Sequence, residues 1–180
     1  MLPFSWGHKL GALLGSILWL LNTRERQVSA KNISLCFPEL STDQQKRLAK
    51  QSLIEGGKSL VEMGPAWLWP EERVLALIKK VSGNELVEAA LANNKGVIIL
   101  APHLGNWEIL GAYLRQLYKI TFLYQPPKLP KMDQLIRKAR GRSGAEIVPT
   151  NRRGVMALLK ALKAGEMVGI LPDQEPDAAS

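Results

Sequence analysis

Cysteine and histidine are scarce in this chain: Cys36 is the one cysteine, and His8 and His103 are the two histidines. A single thiol excludes an intrachain disulfide, a CxxC redox pair and a cysteine-rich metal centre. Within Asn32–Pro38, Cys36 is expected to be a buried structural residue rather than a nucleophile. No HExxH string is present, so the histidines offer little to a metal. There is no internal repeat and no polar low-complexity tract of the kind that stays unfolded. The apolar run Leu10–Leu21 falls short of the roughly 20 residues that cross a bilayer.

Acidic residues are also in the minority, 16 against 24 Lys and Arg, for a net charge of +8. Nearly all of the imbalance lies between Lys131 and Lys163, where nine basic residues face only Asp133 and Glu146, an excess of seven. Such a stretch suits phosphorylated lipid, an acidic carrier protein, an anionic membrane surface or nucleic acid, and it is also what a solvated basic face looks like. No aromatic-basic platform or base-reading motif accompanies it, so no nucleic-acid partner is expected.

Leu10–Leu21 is flanked by Lys9 and by Arg24 and Arg26, with Trp6 and Trp19 suited to the headgroup level. The reading adopted is a short membrane-anchor segment. A buried helix and a signal cleaved after Val28-Ser29-Ala30 are the alternatives, and Arg24, Glu25 and Arg26 weigh against the signal. Ser41–Gln45 resembles a helix start, and the helical pattern runs toward Met63, with Gly56-Gly57 as an interruption and Pro65 as its end. Pro70 opens a further short helix to about Lys80, with Trp67 and Trp69 packing between helices. Asn84 is placed to cap a helix over 85–93.

From there the pattern alternates. Gly96–Ala101, Ile120–Tyr124, Ala145–Val148 and Met167–Leu171 are short runs suited to strands, and Glu108–Tyr118, Met132–Arg142 and Gly154–Ala164 have helical spacing. Strands joined by helices predict an α/β fold with a largely parallel sheet and flanking helices, preceded by a helical amino-terminal region and the anchor segment. Three segments are expected: 1–30 as membrane-associated helix and basic flank, 31–83 as a helical region packing on the core, and 84–180 as the α/β core.

In open sheets of this kind ligands gather beyond the carboxyl ends of the strands. Pro102-His103 follows one strand there and Pro172-Asp173-Gln174 another. On an uninterrupted helix His103 and Glu108 would be rotated apart by roughly 140°. A turn at Gly105-Asn106, with the helix beginning near Trp107, would let them meet. The carboxylate would then fix the imidazole tautomer, and His103 would act as general base. The residues alone leave three readings open: catalysis, a structural His-Glu hydrogen bond, and metal binding.

Ala101–Ile109 resembles the His-x4-acidic motif of the lysophospholipid acyltransferase superfamily. Glutamate at its last position is similar to the bacterial lipid A biosynthesis acyltransferases in particular. The likeness extends through Asn32–Leu40, Tyr124–Pro127, Arg140-Gly141-Arg142 and Leu171–Pro176. It implies acyl transfer from an acyl carrier protein thioester, or from coenzyme A, to a hydroxyl of a lipid A precursor. His103 would be the base and Glu108 its assistant, with no metal, no cofactor and no covalent enzyme intermediate. Backbone amides near Gly105-Asn106 are candidates to stabilise the oxyanion. Arg140 and Arg142 would bind the acceptor phosphate, Asp173 would organise the site, Gln174 would donate a hydrogen bond, and Arg152 and Arg153 would add anion contacts. The implied setting is the cytoplasmic face of the bacterial inner membrane. Another glycolipid or a lysophospholipid as acceptor, and a non-catalytic membrane-binding relative, are the alternatives. By the same likeness the chain is a fragment, expected to lack part of the sheet and of the acceptor pocket and to have little activity by itself.

Overall fold

A computed structural model of the chain describes residues 4–127 and 129–173. The chain divides into two compact units, Met1–Pro65 and Ala66–Ser180.

In the first unit, helix α1 (Phe4–Leu20) is followed by α2 (Arg24–Cys36) and by α3 (Thr42–Leu68), whose last residues belong to the second unit. Ser41 and Gln44 form a reciprocal cap at the start of α3: the Ser41 N–H donates to Gln44 Oε1 at 2.8 Å, and the Gln44 N–H donates to Ser41 Oγ at 3.3 Å. The helix then runs without a break through Gly56-Gly57 and through Pro65, so neither ends it as expected. The glycines serve contact between helices instead. A side-chain carbon at Gly11 would lie 2.5 Å from Lys58 Cα, and one at Gly57 would overlap the Gly11 carbonyl. Only bare backbone lets α1 and α3 approach this closely.

The side of α1 away from α3 is different. Trp6, Leu10, Leu13, Leu14, Ile17 and Leu20 are all exposed, Leu13 by 56% and Leu20 by 76%. Their spacing of three and four traces one helical face. No helix among the described residues is long and apolar enough to cross a membrane, and the expected membrane-anchor segment is not supported. Cys36, expected to be buried, is exposed at the end of α2.

The second unit continues with α4 (Glu71–Leu75), α5 (Asn84–Ala92), β1 (Val97–Leu100), α6 (Trp107–Leu117), β2 (Ile120–Tyr124), α7 (Pro130–Arg140), a 3-10 turn (Arg142–Gly144), β3 (Glu146–Pro149), α8 (Arg152–Lys163) and β4 (Met167–Ile170). The α4 helix stops five residues short of the predicted Lys80. Asn84 is the first residue of α5 rather than its cap. Its amide donates to Glu88, while its oxygen accepts from the Tyr113 and Tyr118 hydroxyls at 3.4 and 3.2 Å.

The four strands form one parallel sheet in the order β1-β4-β2-β3. Ile120 and Met167 point to one face, where they pack with Leu114 of α6. Val148 and Val168 point to the other, where they pack with Leu158 and Ala161 of α8. Helices on both faces account for the β-branched, nearly unbroken apolar character of the strands. The predicted α/β fold and largely parallel sheet are what the structure shows.

Candidate active site

The edge strand β1 and its neighbour β4 are paired so that each residue of β1 lies beside the residue seventy positions later: Val97 with Met167, Leu100 with Ile170. Each then leaves the sheet through an apolar residue and a proline, Ala101-Pro102 and Leu171-Pro172. The same offset carried three residues onward brings His103 to Asp173. The His103 ring Nδ1 lies 3.0 Å from Asp173 Oδ1, and the His103 backbone N–H donates to Asp173 Oδ2 at 2.8 Å. The hydrogen bond with the ring, helped by that backbone donor, holds the Asp173 carboxyl below the usual carboxylate range.

Beyond His103 the chain turns at Gly105, whose φ of +64° favours a residue without a side chain. Asn106 then caps α6, its side-chain oxygen accepting from the Ile109 N–H at 3.1 Å. The predicted turn and helix start are therefore present. They do not join His103 to Glu108. The imidazole ring lies against Trp107 instead, at 4.6 Å between centroids in an edge-to-face arrangement. Glu108 is buried, only 7% exposed, and its carboxylate is held by the guanidinium of Arg140 near the end of α7. Arg140 Nε lies 3.1 and 3.2 Å from the two carboxylate oxygens, and Nη2 also donates to Oε1. The expected His-Glu pair is thus replaced by His103 with Asp173 and Glu108 with Arg140.

Beneath these pairs a mainly apolar pocket, open to solvent, lies between α6 and the sheet. Ile99, Leu110, Leu114, Phe122 and Leu171 supply apolar walls, while Trp107, Glu108 and Arg140 also border it. The Trp107 indole N–H is buried and has no hydrogen-bond partner among the described residues.

The other predicted contacts fall differently. Arg142 donates to the backbone carbonyls of Trp69, at 2.7 Å, and of Trp67. It opens the 3-10 turn after Gly141, while Arg140 closes α7, and the two arginines have different partners. Arg152 and Arg153 open α8 and are exposed. Gln174 lies outside the described residues.

Residues 1–179 match the model of the family described as bacterial lipid A biosynthesis acyltransferase. The chain belongs to the bacterial lipid A biosynthesis acyltransferases. It is 28% identical over 174 residues to the lipid A biosynthesis lauroyltransferase and to the lipid A biosynthesis palmitoleoyltransferase of Escherichia coli (strain K12). Those alignments cover 97% of this chain and 56% of each relative. A lipid A biosynthesis acyltransferase of Haemophilus influenzae is 28% identical over 171 residues, covering 94% of this chain and 52% of the relative. The chain thus spans about half the length of the curated relatives it matches.

In this acyltransferase-family chain the motif's histidine and acid occupy neighbouring positions with different partners. Sequence reasoning picked out Asp173 but not its bond to His103, and Arg140 but not its carboxylate. The signal for the first was the repeated strand-apolar-proline pattern, legible once β1 and β4 are known to be adjacent. Trp107 and Phe122 were missed, because an aromatic beside or inside a strand reads as core.

Proposed function

We propose that this chain carries the catalytic centre of an enzyme that moves a fatty acyl group from an acyl carrier protein thioester, or from coenzyme A, to a hydroxyl of a lipid A precursor. The observation that supports it best is the His103-Asp173 pair over an apolar pocket, in a member of this family. An anionic carboxylate at Nδ1 favours the tautomer with its proton on that nitrogen, which leaves Nε2 with a lone pair. Nε2 has no hydrogen-bond partner among the described residues. It takes the proton of the acceptor hydroxyl as the oxygen attacks the thioester carbonyl. Asp173 stabilises the imidazolium that results. The tetrahedral intermediate expels the thiolate, and the proton on His103 returns to it.

Glu108 holds Arg140 in place rather than orienting the histidine. The guanidinium keeps Nη1 for an anionic group of the acceptor. Asn106 acts by capping α6 and fixing the turn that carries His103, and Gln174 is retained as a donor to substrate. The exposed face of α1 lies in the interfacial layer of the cytoplasmic leaflet of the inner membrane, with Arg24 and Arg26 near anionic headgroups. The lauroyl and palmitoleoyl groups in the relatives' names support a fatty acyl donor.

Mass spectrometry of lipid products tests this reading. The intact protein is supplied with defined acyl carrier protein thioesters and with a lipid A precursor, another glycolipid or a lysophospholipid. A precursor that gains the mass of one acyl chain is the expected result. Gain only on a lysophospholipid redirects the acceptor, and no gain on any acceptor, under conditions where a relative works, leaves a non-catalytic membrane-binding protein.

A further inference from the structure

We infer that the pocket beneath α6 takes the hydrocarbon tail of the acyl donor, and that Phe122, wedged between Gly111 and Gly169, sets how long a tail it accepts. This rests on the acyl-transfer reading above. The lining favours such an occupant. Both charged side chains at its upper end, Glu108 and Arg140, are already paired with each other, and the third, Arg115, is paired with Glu71 at 2.6 Å. Walls of Ile99, Leu110, Leu114 and Leu171 recognise hydrocarbon, and the charges that border them are paired within the protein.

Register gives the pocket its depth and direction. Ala101 and Leu171 border it, two residues before His103 and Asp173, so this is the end nearest the reacting groups. One row further in, Ile99, Gly169 and Phe122 are in-register neighbours on β1, β4 and β2, roughly 7 Å deeper along the strands. The next row, Met167 and Ile120, is fully buried and is not part of the lining. Phe122 is therefore the floor. Its ring lies over the bare backbone of Gly169, where a side-chain carbon would stand 2.5 Å from Phe122 Cδ1. From α6 the ring is faced by Gly111, where an added carbon would stand at an ordinary 3.6 Å from Phe122 Cζ. Removing the ring opens space below the floor, and filling position 111 narrows the space above it.

The test is a competition among saturated acyl carrier protein thioesters of graded length, offered together to the intact protein, with product ratios read by mass spectrometry. Phe122→Ala is expected to shift the ratio toward longer tails and Gly111→Val toward shorter ones, each by roughly tenfold or more between donors. Phe122→Leu and Gly111→Ala serve where thermal unfolding shows that the larger changes do not fold. Wild-type transfer with ratios unchanged in the folded variants, or shifted the same way by both, overturns the assignment of Phe122. Absence of transfer by the wild type from every donor overturns the acyl-transfer reading itself.

Discussion

Asp173 grips His103 twice across seventy residues of sequence, through the ring Nδ1 at 3.0 Å and through the backbone N–H at 2.8 Å. The two contacts fix both the orientation of the imidazole and the position of the loop that carries it. Replacing Asp173 with Asn keeps the shape but removes the charge that selects the tautomer. Acyl transfer is expected to fall by roughly 10²-fold or more in kcat with little change in KM, within the range of a lost general base. Nitrogen chemical shifts of the His103 ring, measured in the same variant, are expected to show loss of the tautomer protonated on Nδ1.

Glu108 and Arg140 make the second pair, in which a buried carboxylate holds a half-buried guanidinium in place. Glu108→Gln leaves the Arg140 guanidinium, with its side chain 23% exposed, without its anion. A loss of about 2–4 kcal/mol is expected in urea unfolding, close to what breaking a buried pair costs. The double variant Glu108→Gln with Arg140→Met is expected to recover part of it. A double variant no more stable than Glu108→Gln would show that the loss does not come from the unpaired guanidinium.

The strands and most helix positions were legible in the sequence because their causes are local. Ile120–Tyr124 is β-branched or aromatic at every position but Leu123 and forms a strand over those same residues. Gly105-Asn106 has turn chemistry and forms the turn. What could not be read locally depends on partners distant in sequence. Gly56-Gly57 is a helix-breaking signal until α1 lies against it. Glu108 and Asp173 were both visible as candidate acids, yet which of them reaches His103 is decided by β4 inserting next to β1. The contacts of Arg142 were illegible for a similar reason, since the two carbonyls that hold it lie more than seventy residues earlier.

The glycine contact between α1 and α3 leaves no room for a methyl group. Gly57→Ala would drive its side-chain carbon into the Gly11 carbonyl. It is expected to destabilise the protein by about 1–3 kcal/mol in thermal unfolding, as overpacking does. Gly56→Ala, where nothing lies within 4 Å, is expected to be neutral or mildly stabilising.

Lipid attachment through α1 predicts a separation of binding from folding. Leu10, Leu13 and Leu20 are exposed, so changing all three to Ser leaves thermal stability within about 0.5 kcal/mol. Sedimentation with anionic vesicles is expected to fall by at least about tenfold, since each leucine buried in lipid contributes roughly 1.5–3 kcal/mol. Unchanged sedimentation would remove the membrane role of this face.

Asp133 provides a pH test of the second unit. The Tyr124 hydroxyl donates to it, Arg137 Nε lies 3.0 Å from its other oxygen, and both hold its carboxyl below the usual range. A depressed carboxyl stabilises the fold fully above its unfolded value of about 4 and loses that contribution as pH falls through the lower folded value. The stability gap between wild type and Asp133→Asn is therefore expected to be constant near neutrality and to shrink on acidification below about pH 4. A gap independent of pH down to full protonation would contradict this.

The account turns on His103 as the base. Its most direct test is the rate of acyl transfer to the lipid A precursor by the intact His103→Ala variant, under single-turnover conditions with membrane binding shown to be equal to wild type. The expected rate is lower by roughly 10²–10⁴-fold. A His103→Ala rate equal to that of the wild type would contradict the account.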